Sequence, residues 1–434
     1  MLIRACYHPF FEQIINKPDN YLIIGTPGIG KSMFVYYAMW KLLQVYPSTT
    51  IAWWPNGLQS VILLASDGTT SHCRPENLQE ILPQGSFVFI DSNKPPSYWR
   101  SRTILVTSPN SSHIFKEFKE KTNCQVRYMP VWSGDEVFKY CQVATLGCTK
   151  DGTTDELSGD IGELFKKVGG IPRILFSKVD LQTQTNELTL AIDQYCTEHK
   201  IGGPLFDSNR EVFHLIVHYY PAPDYKSYTF VFASNWVFQQ VSSEFFALGQ
   251  SELVNLIKNC REPETGTLIG LLFEYYSHRQ LSCGGEYIVR CLSDSADGNQ
   301  ETMTIPKRVD LFSFDGVEKL KLESGYYKPK QKNFAAVDSI YVDTVKKVVN
   351  FFQITKAASH KINGEGMLKL VNTFNSLKSG VRLTYRLYFV LPSFIYEEYY
   401  KRPQRFEWSK KINTDENLKG SIEQYALCIP LKPE

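Results

Sequence analysis

No stretch of about 18 apolar residues occurs in the 434-residue chain, so no segment reads as a membrane-crossing helix. The opening residues, Met1-Leu-Ile-Arg-Ala-Cys-Tyr-His8, lack a charged region followed by a long apolar core, and no secretory signal is expected in the chain. The ten cysteines are scattered. They form no C-x-x-C pair and no Cys/His cluster at zinc spacing, which argues against a zinc site or a disulfide framework and predicts reduced thiols in an intracellular setting. Internal repeats and low-complexity tracts are absent. So is a basic nuclear-localisation run, to which Lys401-Arg-Pro-Gln-Arg405 comes nearest.

What is present is a globular composition, 43% hydrophobic and 21% charged, in a chain long enough for about two to three domains. The net charge of +2 hides an asymmetry. Residues 301–434 hold 22 Lys and Arg against 15 Asp and Glu, a net of +7 that leaves about −5 for the rest. A basic last third points to a polyanionic partner there, although solvated surface lysines give similar totals.

The most specific local signal is Gly25-Thr-Pro-Gly-Ile-Gly-Lys31-Ser32, directly after the apolar run Tyr21-Leu-Ile-Ile24. It matches G-x-x-x-x-G-K-[ST], the phosphate-binding loop of nucleoside triphosphatases. Gly25, Gly28 and Gly30 let the backbone curl around Pro27 and Ile29 so that successive N–H groups point at phosphate oxygens. Lys31 neutralises those oxygens, and the Ser32 hydroxyl helps hold Mg²⁺. Residues Met33 to Val45 read as the helix whose N-terminus faces the anion. A second carboxylate is needed, and Phe87-Val-Phe-Ile90 followed by Asp91 supplies it: a buried strand with an acid at its carboxyl end, where it would join the Mg²⁺ shell. Ser92 stands next, where many hydrolysing relatives carry a water-activating glutamate. A third strand, Arg102 to Val106, runs into Thr107-Ser-Pro-Asn110, either a plain turn or a γ-phosphate sensor. Gly169-Gly-Ile-Pro-Arg173 places Arg173 at an apparent helix start, as a candidate charge-stabilising arginine.

Taken in order, "IRxCY", "GTPGIGKS", "FVFIDS", "ILVTSPN", "MPVWSGDEV" and "GGIPRILF" resemble the ATPase module of the Crinkler effectors, shared with the trypanosome retrotransposon hot spot proteins. The resemblance runs from Arg4 to about Leu181. It implies a P-loop NTPase parallel sheet with helices on both faces over 1–181, and a secreted effector acting in a host nucleus. Between about 182 and 265 no chemistry declares itself. Thr185 to His199 and Glu211 to Tyr219 read as helices, Tyr228 to Ala233 as a strand, and the dense aromatics there as core.

From Leu268 an apolar helix carries Glu274 and His278 on one face. Strand-like segments follow at 286–291, 309–314, 325–329 and 333–342, the last containing Asp338. The strand Lys347 to Lys356 presents Gln353 and Thr355 on one face. A helix at 364–378 and a final strand at 382–391 complete the order helix, three strands, helix, strand. With an acid on the second strand and a polar pair on the third, this resembles the PD-(D/E)xK restriction-endonuclease-like superfamily, and "F-E-x-x-x-H … Y-x-P … D-S … F-Q-x-T … H" resembles Crinkler-type nuclease domains. The resemblance implies an α/β restriction-endonuclease-like domain over 266–434 that hydrolyses DNA phosphodiesters with a divalent metal. Asp338 and Glu274 would be metal ligands, Gln353 would stand where glutamate often stands, and His360 would act on the water or a phosphate. Thr355 occupies the usual lysine position. The adjacent Lys356 replaces that lysine only if the strand bulges or ends there.

The whole reads as an ATP-dependent, DNA-directed effector using ATP with Mg²⁺ or Mn²⁺. A homo-oligomer is left open and no membrane partner is expected. The alternative is a nucleotide-switched binding protein whose nuclease fold is inactive.

Overall fold

The computed structural model describes residues 2–431 apart from 84, 96–100, 110–111, 145–158, 201–212, 249–253, 256, 259–262, 294–299, 308, 331–333, 335, 358, 378–381, 400 and 409–420. The expected Asn110 and Asn333 lie outside the described residues. The chain divides into two compact units, one of residues 1–248 with 261–268, the other of 249–260 with 269–434. Residues 182–248 therefore fall in the first unit rather than in a region between two domains.

Seven strands build the first unit's main sheet: β1 (Tyr21–Ile24), β2 (Ile51–Trp54), β3 (Val61–Leu64), β4 (Thr70–Cys73), β5 (Phe87–Asp91), β6 (Arg102–Thr107) and β7 (Gln125–Tyr128). Their order is β4-β3-β2-β5-β6-β1-β7. From β2 to β7 all neighbours are parallel, while β3 and β4 add antiparallel. Parallel strands need both faces covered, and the sequence provides for that by alternation. Tyr21, Ile23, Phe87 and Phe89 pack with Tyr7, Phe10 and Phe34 of the helices Tyr7–Asn16 and Lys31–Val45. Leu22, Ile24, Val88 and Ile90 pack on the opposite side with Phe118. β1 is flanked by β6 and β7, so the crossovers after β1 and after β6 run to opposite sides of it. A crevice opens at such a point beyond the carboxyl ends of the strands.

Past this sheet the unit adds the helices Gly159–Val168, Leu181–Lys200 and Asn235–Leu248 and a hairpin of β8 (Val217–Pro221) and β9 (Tyr228–Phe232). The helix expected over Glu211 to Tyr219 is thus corrected: among the described residues only Phe213–Ile216 is helical, and Val217 onward is strand. Short apolar runs carry no decisive period, and Pro221 and the aromatic pair Tyr219-Tyr220 favour the strand. The expected aromatic core is present in Phe230, Phe232, Phe238 and Phe245, all buried.

The second unit holds β10 (Gly285–Cys291), β11 (Gln300–Ile305), β12 (Leu311–Phe314), β13 (Gly325–Pro329), β14 (Ser339–Asp343), β15 (Val348–Ile354), β16 (Ile362–Asn363), β17 (Thr384–Pro392), β18 (Phe406–Glu407) and β19 (Ile422–Ile429). Eight form one sheet, β11-β10-β19-β17-β15-β14-β13-β12, and β16 pairs with β18 separately. β13, β14 and β15 make an antiparallel meander, and β17 lies parallel to β15 after the helix Gly364–Leu377. That helix buries Met367, Leu370 and Phe374 against Val349, Phe351, Leu387 and Phe389 of the sheet. The strand expected to be last is not: β19 follows it, parallel to β17, and joins it to β10.

Candidate functional site

The Gly25–Ser32 loop leaves β1 and turns into the helix Lys31–Val45. Gly28 (φ 82°) and Gly30 (φ 97°) sit in the left-handed region where a side chain is strained, so the turn needs glycine at both. Gly30 caps the helix, and the first amides of that helix have no intrahelical acceptor. Lys31 is almost wholly buried. Its Nζ donates to the Gly25 and Thr26 carbonyls at 2.7 and 3.0 Å. Burial pulls the ammonium pKa down to about 7, Asp91 works in the opposite direction, and Arg173 adds to the lowering. Among the described residues no carboxylate salt-bridges this cation, and a buried ammonium favours an anion.

The loop is held from behind by three side chains. Trp132 Nε1 donates to the Ile29 carbonyl at 2.9 Å and Arg4 Nη1 to the same oxygen at 3.3 Å, while the Tyr7 hydroxyl donates to Gly30 O at 2.9 Å. Arg4 is itself fixed by Glu136 through two bonds of 2.9 and 3.0 Å. Glu136 belongs to the capping box with Ser133 that starts the helix Gly134–Val143. Trp132 also donates its backbone N–H to Gly170 O at 2.9 Å, and a Cβ at Gly170 would lie 1.9 Å from Trp132 O. That contact explains the glycine, and it brings the Gly169–Arg173 segment to the loop. Arg173 N donates to Gly28 O at 3.3 Å. Three segments distant in sequence thus converge on one turn.

A cavity of about 800 Å³ opens at the loop, with Pro27, Gly28, Gly30, Lys31, Ser32, Met33, Asp91 and Arg173 on its wall. Gly25 and Ile29 sit behind it. Ser92 and Ser108 also line it. Ser92 takes φ 57°, a left-handed conformation rare for serine, and its hydroxyl donates to Asp91 Oδ1 at 3.1 Å. Sequence reasoning missed the far wall of Trp132, Tyr140 and Phe176, whose rings lie 4.4 to 6.0 Å apart.

In the second unit Asp338 stands just before β14 rather than inside a strand. Its Oδ2 accepts from Gln353 Nε2 at 2.9 Å and from Ile354 N at 2.6 Å. Burial pushes its pKa up to about 7, with Glu274 raising and Lys328 lowering it. On the helix Gly266–Cys283, Glu274 Oε1 is 3.6 Å from His278 Nε2, an ion-pair distance rather than a hydrogen bond. His278 Nδ1 contacts the Tyr326 hydroxyl at 2.8 Å, and that hydroxyl donates to Ser339 Oγ at 2.7 Å. Burial lowers the His278 pKa and the nearby Glu274 opposes the shift. Asp338, Gln353 and Glu274 are therefore brought together from different elements. Asp338 Oδ1 and Gln353 Oε1 make no described hydrogen bond, and such oxygens suit a hard divalent ion. Among the described residues no three His, Cys, Asp or Glu side chains gather at metal-ligand distance.

Two expectations shift. Thr355 and Lys356 lie past the end of β15, although Thr355 N still donates to Val390 O of β17 at 3.0 Å, and the Thr355 hydroxyl accepts from Ala357 N at 3.0 Å. His360 has its backbone N–H on Gln404 Oε1 at 3.3 Å and its ring 6.4 Å from Phe389, with Nδ1 buried and unpaired; burial lowers its pKa. The described contacts tie His360 to Gln404 and Phe389, not to Asp338.

Fold and site together define a mixed α/β protein of two units, one with a glycine-rich loop around a buried lysine, the other with a buried acid at a strand's start. Over 99% of its length the chain is 24% identical to Crinkler effector protein 15 of Phytophthora infestans. It matches Crinkler effector protein 16 of the same organism at 24% identity, again over 99% of its length. Along nearly its whole length the chain is thus similar to Crinkler effector proteins. The chain spans 66% of the length of each of these relatives. No protein-family model matches the chain.

Proposed function

We propose that the chain is an effector whose first unit binds and hydrolyses ATP with Mg²⁺ and whose second unit cuts DNA with a divalent metal, acting on DNA in a host nucleus. The observation that carries the first half is Lys31: a buried ammonium resting on two carbonyls, at the mouth of a cavity that also holds Asp91 and Arg173. Phosphate oxygens would replace the carbonyls as its partners, the helix amides would meet the same anion, and Ser32 with Asp91 would hold the ion. Tyr140 and Phe176 offer the base a stacking wall. The parallel order β2-β5-β6-β1-β7, with Asp91 one strand away from the loop strand, supports this P-loop reading.

For the second half, the β13-β14-β15 meander with β17 parallel to β15 is the topology expected of a restriction-endonuclease-like core. Asp338, Gln353 and Glu274 would hold the metal. When bound, the metal would activate water and neutralise charge on the scissile phosphate. Asp338 would then ionise, its elevated pKa offset by the cation. A second reading, a nucleotide-switched binding protein that cuts nothing, is favoured by Ser92 after Asp91 and by Thr355 in the lysine position. Plasmid cleavage with Mg²⁺ or Mn²⁺ by wild type and Asp338→Ala separates the two: cleavage lost only in the variant supports the nuclease, and no cleavage by wild type supports the switch.

A further inference from the structure

We propose that Lys328, on β13, supplies the cation of the second unit's site and contacts the scissile phosphate there. The assignment rests on the nuclease reading above. Strand geometry carries it. β13 and β14 pair with Tyr326 opposite Tyr341 and Tyr327 opposite Ile340. One position further along this antiparallel ladder, Lys328 comes opposite Ser339, next to Asp338. Alternation puts Lys328 on the same face as Tyr326. That face looks at the helix Gly266–Cys283, because the Tyr326 hydroxyl touches both His278 and Ser339. Glu274 lies one helical turn before His278, about 6 Å along the axis, and Lys328 lies two strand positions past Tyr326, a similar step. The two steps are of similar length, and Glu274 and Asp338 both oppose the lowering of the Lys328 pKa by burial. Its ammonium makes no described hydrogen bond or ion pair, and the residue is exposed to solvent, so it can meet a substrate.

The chemistry needs this cation. In hydrolysis a water oxygen bonds to phosphorus while the phosphorus bond to the leaving sugar oxygen breaks with its electron pair. The attacking water loses a proton to solvent and the leaving oxygen regains one. Negative charge grows on the non-bridging oxygens throughout, and the Lys328 ammonium stabilises it. Thr355 supplies no charge, so the lysine comes from the neighbouring strand instead of from two residues after Gln353.

The experiment compares plasmid cleavage with Mn²⁺ or Mg²⁺ by wild type, K328M, K328R and K346M, alongside Mn²⁺ titration and melting curves. Lys346 is an exposed lysine of the same unit and serves as a charge-matched control. K328M is expected to lose about 100-fold in cleavage rate. It should melt as wild type and keep its Mn²⁺ affinity, while K328R recovers part of the rate and K346M all of it. K328M cutting at the wild-type rate, or K346M losing as much as K328M, overturns the assignment alone. If K328M melts early, a K328R that melts as wild type and cuts faster than K328M per folded molecule still supports the assignment, and a K328R that cuts no faster than K328M per folded molecule, or K328M cleavage per folded molecule equal to wild type, overturns it. Wild type that cuts nothing with either metal overturns the nuclease reading, and this assignment with it.

Discussion

Lys31 and Asp338 are both buried ionisable groups, yet their surroundings are built in opposite ways. The lysine rests on backbone carbonyls in a loop contiguous in sequence, and long-range side chains grip only the outside of that loop. The acid rests on N–H groups from β15, and its charged neighbours, Glu274 and Lys328, come from a helix and another strand. One site centres on a buried cation and the other on a buried acid. A contiguous site is pre-shaped by its own backbone. An assembled site depends on strand register, so a one-residue slip would turn its side chains away.

The largest expected effect falls on the scaffold of the first site. Arg4→Ala removes the partner of largely buried Glu136 and one of the two donors to Ile29 O, and should cost about 4 kcal/mol of stability, read by denaturant unfolding. A loss below about 1 kcal/mol would mean the loop does not depend on this brace. Next comes Lys31→Ala, expected to weaken ATP binding about 100-fold, roughly 3 kcal/mol, in a folded protein. The pH dependence sharpens the test. Phosphates would raise the lysine pKa from about 7, so binding should take up a proton and weaken as pH climbs above 7, measurable by calorimetry in buffers of different ionisation heat. Binding that is flat from pH 7 to 9 would contradict the buried-cation description.

The second site should also lose strength as pH rises, but lower on the scale and in folding stability rather than in ligand binding. Folded Asp338 titrates near 7 instead of its ordinary 3.8, so the folded state holds a proton that the unfolded chain has already released. Stability should therefore fall as pH rises from about 4 to 7 and stay reduced above. Asp338→Asn removes this penalty and should gain roughly 2 kcal/mol above pH 7, once lost hydrogen bonding to Gln353 and Ile354 is allowed for, and nothing near pH 3. A variant destabilised at pH 8 would show the carboxylate to be stabilised by its neighbours after all. The smallest effect belongs to Trp132→Phe, which keeps a ring but loses the donor to Ile29 O. About 1 kcal/mol of nucleotide affinity should go with it, seen as a severalfold rise in Kd.

Legibility followed the same contrast. The loop, Asp91 and three strands of the parallel sheet, β1, β5 and β6, could be read because each is fixed by adjacent residues: glycine spacing, a run of apolar side chains, an acid at a strand end, whereas β2 and β7 were not. The grip on the loop could not, since Arg4 meets Glu136 across 132 positions and Trp132 meets Ile29 across 103. Only the presence of "IRxCY" and "MPVWSGDEV" marked those segments, without giving their role. In the second unit Asp338, Gln353 and Glu274 could be proposed from pattern, but Lys328 could not. Its part depends on which strands are neighbours, and a lysine on a strand reads as a solvated edge residue unless the register is known. β19 was missed for a related reason: a strand that inserts between β17 and β10 leaves no local mark of where it will pair.

On the proposed function, ATP hydrolysis and DNA cleavage belong to separate sites in separate units. The most direct test measures both activities on the same preparation of wild type, Lys31→Ala and Asp338→Ala with Mg²⁺ and plasmid DNA. The account predicts that Asp338→Ala abolishes cleavage while hydrolysing ATP near the wild-type rate, and that Lys31→Ala loses ATP hydrolysis in a folded protein. Wild-type ATP turnover by Lys31→Ala, or cleavage that survives Asp338→Ala, would contradict it.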